Sequence, residues 1–173
     1  MKKPRKDIYT LEDARVLVTG GSGFIGSHLL KELVKTGCKK VFNIDKLTYA
    51  ADETRNSDVS LSMDYEFLEI DIANESLVSN IQEIQPNFIF HLAAQSLVSE
   101  SISNTIETFS INTLGTITVL ECLKELENNC NAIFITSDKC YENVEWLWGY
   151  KETDKLGGKD PYSASKAAAE IAI

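Results

Sequence analysis

Between a short apolar run and an amphipathic one the chain reads Thr19-Gly-Gly-Ser-Gly-Phe-Ile-Gly26, and few folds accommodate that arrangement. The run at 15–19, Arg-Val-Leu-Val-Thr, predicts a compact strand. Residues 24–36 place Ile25, Leu29 and Leu33, beside Leu30 and Val34, at helical spacing until Gly37 stops them. A strand passing straight into a helix through glycines uses Gly20 for the tight turn, Gly23 for close approach to a pyrophosphate, and Gly26 for helix–strand contact. The first turn of such a helix offers free N–H groups and a partial positive charge to an anion.

The motif gains meaning from its surroundings. Asp45 ends the next strand, residues 40–44, where its carboxylate can accept hydrogen bonds from ribose hydroxyls and repel a 2′-phosphate. The pairing predicts NAD in preference to NADP; the competing reading is a glycine turn beside a surface aspartate. Asp71, at the end of the third strand, has two readings: contact with an adenine edge through Asp71-Ile72, or the N-cap of the helix that follows. Leu92-Ala-Ala94 ends the fourth strand with small side chains, suited to close cofactor approach or to tight packing alone. The expected cofactor wall is therefore Gly20, Gly23, Phe24, Ile25, Gly26, Asp45, Lys46, Asp71, Ile72, Leu92, Ala93 and Ala94. His91, among strand apolars, reads as a buried, hydrogen-bonded histidine rather than a ligand or base.

The rest of the chain continues the alternation. Residues 46–63 read as a polar connection, 65–70 as a strand, 74–85 as a helix stopped by Pro86, and 87–92 as a strand. A helix-compatible stretch follows at 105–128, then a strand at 132–136, a loop rich in aromatic and charged residues at 137–160, and an Ala-rich helix at 161–173. Nearly all-apolar strands alternating with helices predict an α/β fold: a doubly wound parallel sheet of the Rossmann type, covered on both faces. The expected organisation is an N-terminal arm at 1–13 and a dinucleotide-binding domain at 14–173. The last helix ends on Ala167-Ala-Ala-Glu-Ile-Ala-Ile173 without a cap, so the domain is expected to be incomplete at its C-terminus.

Composition narrows the partners. With 17 Lys+Arg against 26 Asp+Glu the net charge is −9, which disfavours nucleic acid and anionic membrane surfaces. The four scattered cysteines form no C-x-x-C pair and only two histidines accompany them, so no metal site is expected and the thiols suggest a reducing compartment. The basic start, Met1 to Asp7, lacks an apolar stretch after it, and no run approaches the roughly 18 apolar residues of a membrane span. A cytoplasmic location is expected.

Tyr162-Ser-Ala-Ser-Lys166 opens the last helix, and its i and i+4 side chains share one face. An ammonium beside a phenol favours the phenolate, which makes a base, and the same lysine can hold a cofactor ribose. Tyr162 and Lys166 thus join the cofactor wall as well as the catalytic set. A solvated helical pair is the alternative. The placement after a strand ending in Thr136-Ser-Asp138, in a chain carrying a dinucleotide loop, makes the pattern specific.

These residues resemble the extended short-chain dehydrogenases/reductases, in the nucleotide-sugar epimerase and dehydratase branch. The similarity runs from about residue 14 to 173 and rests on 19–26, His-Leu-Ala-Ala at 91–94, Asn112-Thr-Leu-Gly-Thr116, Thr136-Ser-Asp138 and the Tyr162/Lys166 pair. Ser137-Asp-Lys-Cys-Tyr141, Glu145-Trp-Leu-Trp-Gly-Tyr150, Leu156-Gly-Gly158 and Asp160-Pro-Tyr162 resemble the CDP-glucose 4,6-dehydratase subgroup. Asp45-Lys-Leu-Thr-Tyr-Ala50 and Phe24-Ile-Gly26 are more similar to dTDP-glucose 4,6-dehydratases.

The resemblance implies NAD-dependent dehydration of a nucleoside-diphosphate glucose, with CDP-glucose favoured, to a 4-keto-6-deoxy sugar nucleotide. It implies that Tyr162 takes the 4-hydroxyl proton, Ser137 binds the same oxygen and Lys166 tunes Tyr162. It also implies Asp138 as the acid for the departing 6-hydroxyl and Lys139 as the C5 base, where the dTDP-specific relatives carry glutamate. It further implies homodimerisation, a longer enzyme with further strands and a C-terminal substrate lobe, and hence an inert, marginally stable 173-residue piece. A dTDP-glucose dehydratase, an epimerase, and a non-catalytic dinucleotide-binding module are the alternatives. Trp146 and Trp148 read either as a cover for the sugar or as anchors to the sheet edge.

Overall fold

The computed structural model describes residues 10–173; the basic start of the chain and most of the 1–13 arm lie outside them. Five strands, β1 (Arg15–Thr19), β2 (Lys40–Asp45), β3 (Tyr65–Glu69), β4 (Phe88–His91) and β5 (Asn131–Phe134), form one parallel sheet in the order β3-β2-β1-β4-β5. The order reverses between β1 and β4. At such a switch point the loops leaving the two strands diverge, and a crevice opens at their carboxyl ends.

Helices cover the two faces. On one, α1 (Phe24–Val34) and α2 (Ser57–Ser62) enclose Val16, Val18, Leu30, Leu33, Val41 and Val59. On the other, α3 (Ser76–Ile84) and α6 (Gly115–Lys124) enclose Leu17, Ile44, Leu77, Ile81, Ile89 and Val119. Removing these chains from water drives assembly at about 25 cal/mol per Å² of apolar area. Alternating residues of β1 feed opposite cores, as the two-residue strand period demands.

The predicted strands are all present, with shifted ends. β5 stops at Phe134, although Ile135 N–H still donates to the His91 carbonyl (3.0 Å). The Gly37 stop is realised at φ +71, and α3 ends on Gln85 at φ 48 directly before Pro86.

Three expectations need correction. The 46–63 connection holds a 3₁₀ turn (Glu53–Asn56) and α2, which escape a periodicity reading because α2 buries only Val59. The helical stretch at 105–128 is α5 (Thr105–Phe109), a π turn (Ser110–Leu114) and α6, preceded by an unanticipated polar helix α4 (Val98–Ser103) that buries only Ser101. The sheet is not covered on both faces throughout: Ile133 and Ile135, in and just after the edge strand, are 47% and 45% exposed. The C-terminal helix α7 (Pro161–Ala172) is built as expected, with Pro161 in its first turn and Asp160 accepting from Ser163 N–H (2.9 Å). Among the described residues no helix is long and apolar enough to cross a membrane.

Candidate functional site

A cleft of about 400 Å³ opens at the switch point. The twelve wall residues expected from the strand ends and the glycine loop all line it, and Ile135 closes the β5 end. Gly20 sits at φ +75, where a side chain would also strike the Ala93 amide nitrogen at 2.7 Å. A Cβ on Gly26 would lie 2.1 Å from the Gly20 carbonyl oxygen, so the first turn of α1 can pack on the loop only without one. Gly23 caps α1 without a side chain, and no acidic residue lies in the first turn. The helix therefore turns its unpaired N–H groups and positive end toward the cleft, as a diphosphate requires.

Asp45 is 8% exposed. Its carboxylate accepts from Ser22 N–H (3.1 Å) and Leu47 N–H (2.9 Å). Burial pushes its pKa above the ordinary aspartate value, against the pull of these two donors. Lone pairs remain for ribose hydroxyls. Lys46 reaches across the opening to Asp71 (3.1 Å) and Glu107 (3.4 Å); burial opposes its charge, but the two carboxylates outweigh that and raise its pKa. Of the two readings of Asp71, the helix cap is overturned: α3 starts five residues later, and Asp71 instead accepts from Ala73 N–H (3.0 Å) in a turn while lining the cleft.

The candidate catalytic residues gather at the β5 end, outside the cleft wall proper. Ser137 caps the 3₁₀ turn Asp138–Cys140, accepting from Lys139 N–H and donating to Asp138 Oδ1, both at 3.2 Å. Asp138 and Lys139 are exposed, and the turn packs against α7. Tyr162 lies in the first turn of α7, its N–H donated to the buried Ser101 hydroxyl (3.1 Å). One turn on, Lys166 is 7% exposed and donates to the carbonyl of Ile135 (3.2 Å), a residue of the cleft wall. Burial holds its pKa below the usual lysine range. An ammonium has three donors, so two are left for a ligand.

His91 is 3% exposed, bonded to Thr19 Oγ1 (2.7 Å) and Thr116 Oγ1 (3.2 Å). Burial first, then the Lys166 charge, pull its pKa down to about 3. The structural reading of this histidine holds. Trp146 and Trp148 lie against each other with tilted rings (5.5 Å between centroids), Trp146 also meets Tyr150 (5.6 Å), and neither lines the cleft.

Two groups of residues behind the site carry no legible role in the sequence. Asn112, in the π turn, accepts from Gln95 N–H and donates to the Gln95 carbonyl and to Ser165 Oγ, all at 2.9 Å, joining the cleft wall to α7. Only its place among the resemblance marks at 112–116 pointed to it. Ser22, Asn43 and Glu53 support the glycine loop from beneath, and nothing in the aperiodic segment around Glu53 signals that contact.

The family described as GDP-mannose 4,6 dehydratase matches residues 17–173. A CDP-glucose 4,6-dehydratase of Salmonella typhimurium is 41% identical over 160 residues, covering 91% of this chain and 44% of that protein. A dTDP-glucose 4,6-dehydratase of the same organism is 34% identical, over 90% of this chain and 48% of the relative. Among solved structures, a dTDP-glucose 4,6-dehydratase from Streptomyces venezuelae with NAD bound superposes with a TM-score of 0.83 at 29% identity, over 91% of this chain and 50% of the other. A UDP-Glc/GlcNAc 4-epimerase from Campylobacter jejuni gives 0.82 at 26% identity, over 91% and 47%. The chain spans about half the length of the curated relatives it matches. It belongs to the GDP-mannose 4,6 dehydratase family.

Proposed function

We propose that this member of the family binds NAD in the switch-point cleft and carries the acid–base residues of a nucleoside-diphosphate-glucose 4,6-dehydratase, with CDP-glucose as the favoured substrate. One observation carries the reading: the cleft that begins at the uncapped α1 terminus and Asp45 ends at Ile135, whose carbonyl binds the ammonium of Lys166, one turn from Tyr162. A dinucleotide held by its diphosphate at one end meets a phenol and an ammonium at the other. NAD supplies the hydride acceptor, and later donor, that a net redox-neutral dehydration needs.

The chain's own groups handle protons and oxygens. Tyr162 takes the proton of the sugar 4-hydroxyl; Lys166 stabilises the phenolate and holds the neighbouring ribose. The Ser137 hydroxyl binds the same sugar oxygen. The 4-keto group acidifies C5, whose proton goes to Lys139, while Asp138 protonates the departing 6-hydroxyl, which leaves as water. A lysine works as a base when burial or neighbouring cations lower its pKa, and Lys139 is exposed in the described chain.

The 41% identity to a CDP-glucose enzyme, against 37% to a dTDP-glucose enzyme of Haemophilus influenzae, favours the cytidine nucleotide. The dTDP-like segment at 45–50 supports the second reading, dTDP-glucose. Because the match covers under half of each relative, we assign cofactor binding to these 173 residues and turnover to a longer assembly. Calorimetric titration tests the first part: NAD binds and NADP binds at least about tenfold more weakly, the effect of one charge–phosphate clash. Absence of NAD binding, or a preference for NADP, overturns it. Incubation with CDP-glucose and dTDP-glucose tests the second; steady 4-keto product from the 173-residue chain alone overturns the division of labour.

A further inference from the structure

Ser22 is held at three atoms. Its N–H donates to Asp45 Oδ2 (3.1 Å), its hydroxyl donates to Glu53 Oε2 (2.5 Å), and its carbonyl accepts from Asp52 N–H (2.9 Å). It is 0% exposed and follows Gly20-Gly21 in the turn that shapes the cleft. Asp45, its first partner, forms part of the cleft wall. Glu53, its second, does not line the cleft and stands behind the loop.

The Glu53 carboxylate gathers donors from separate elements. Tyr65 OH, from β3, reaches Oε1 at 2.6 Å; Asn56 Nδ2 reaches Oε2 at 3.1 Å and also the Gly21 carbonyl at 3.3 Å. Asn43 Nδ2, from β2, lies 3.0 Å from Ser22 Oγ and 3.2 Å from Glu53 Oε2. Burial first, then the hydrogen bond to Glu53, pushes the Tyr65 phenol above its ordinary range. Hydrogen bonds to an ionised acceptor are about twice as strong as neutral ones, so the donors at 22, 43, 56 and 65 hold the Glu53 carboxylate in place, near enough for its charge to raise the pKa of Asp45.

We infer that Glu53 is a positioning residue for the dinucleotide site: acting through Ser22, it sets the placement of the Asp45 carboxylate that reads the adenosine ribose hydroxyls. The inference rests on the proposed NAD reading of the cleft. A glutamine at 53 keeps one acceptor oxygen but loses the charge, so the hydrogen bond that anchors the Ser22 hydroxyl is weakened from charge-assisted to neutral while the fold around β2 and β3 keeps its volume.

The test compares wild type with Glu53→Gln, and with Ser22→Ala as the milder variant should the first fail to fold. Affinities are measured for NAD and for NAD lacking the adenosine 2′-hydroxyl. Wild type prefers intact NAD by about tenfold, the worth of one hydrogen bond to a charged group. In both variants that preference falls to about twofold or less, whereas a purely structural defect weakens both ligands equally and leaves the ratio unchanged. An unchanged ratio overturns the inference and leaves the NAD reading standing. If wild type binds neither ligand, the NAD reading fails. The positioning claim is then decided by hydrogen exchange at the Ser22 amide in the ligand-free chain: faster exchange in Glu53→Gln sustains the Ser22–Asp45 link, and unchanged exchange overturns it.

Discussion

The two ends of the cleft are built on different principles. At the β1–β2 end polar groups at and behind the wall are tied together: Ser22 to Asp45 and Glu53, Lys46 to Asp71. At the β5 end a three-residue 3₁₀ turn carries Asp138 and Lys139 into solvent, and Ile133 and Ile135 stand half exposed beside it. The first end is preorganised by its own short-range contacts and can receive a cofactor as it stands. The second holds its chemistry on one firm element, α7, through the Asp160 cap and the buried Lys166. On the proposed reading, the groups that would hold the cofactor are fixed by the fold itself, whereas Asp138 and Lys139 stand exposed.

Perturbing the firm end should be costly. Gly26→Ala forces a methyl to 2.1 Å from the Gly20 carbonyl, backbone against backbone. We expect about 1–3 kcal/mol lost in denaturant unfolding, together with loss of NAD binding by titration. Retention of both would show the loop to be far softer than its contacts indicate.

The middle of the sheet, at β4, carries a pH signature. The folded-state pKa of His91, about 3, lies below the ordinary 6.5. The unfolded chain therefore binds the extra proton first, so stability is complete above about pH 6.5 and declines as pH falls toward 3, by at most about 1.4 kcal/mol per pH unit. Urea unfolding at stepped pH checks the slope, and His91→Gln should flatten it.

At the other end, Lys166→Met separates function from stability. The buried ammonium is costly to desolvate, so its removal should leave the melting temperature unchanged or raised while NAD affinity falls by about tenfold. Melting and binding that fall together would make Lys166 part of the frame instead. The smallest effect is expected in the aromatic loop, where Glu142→Gln breaks the exposed ion pair with Lys155 (2.9 Å). No measurable shift in melting temperature should follow.

Much of this was legible before any coordinates. Strand–helix alternation, the glycine spacing and Asp45 at a strand end are local patterns with local causes, and all the strands follow from them. Local patterning also marked Tyr162 and Lys166 as neighbours on one helix face. What escaped were contacts between segments without periodicity. Glu53 sits in a polar stretch with no apolar repeat, and its importance comes from donors at 22, 43, 56 and 65. Asn112 interrupts a run that reads as one continuous helix, because a π turn is chosen by what the side chain bonds across space, namely Gln95 and Ser165.

The amino-acid order by itself determined the five strands, the helices α1, α3 and α7, their parallel winding and the dinucleotide loop, because backbone freedom at glycine and the periods of helix and strand act between near neighbours. Only the tertiary structure decided which carboxylate braces the loop, that Asp71 pairs with Lys46, and that Lys166 bonds the carbonyl of Ile135 at the β5 end. Those outcomes depend on the distance between chain segments that have no common local pattern, and that distance is set by packing of the whole sheet.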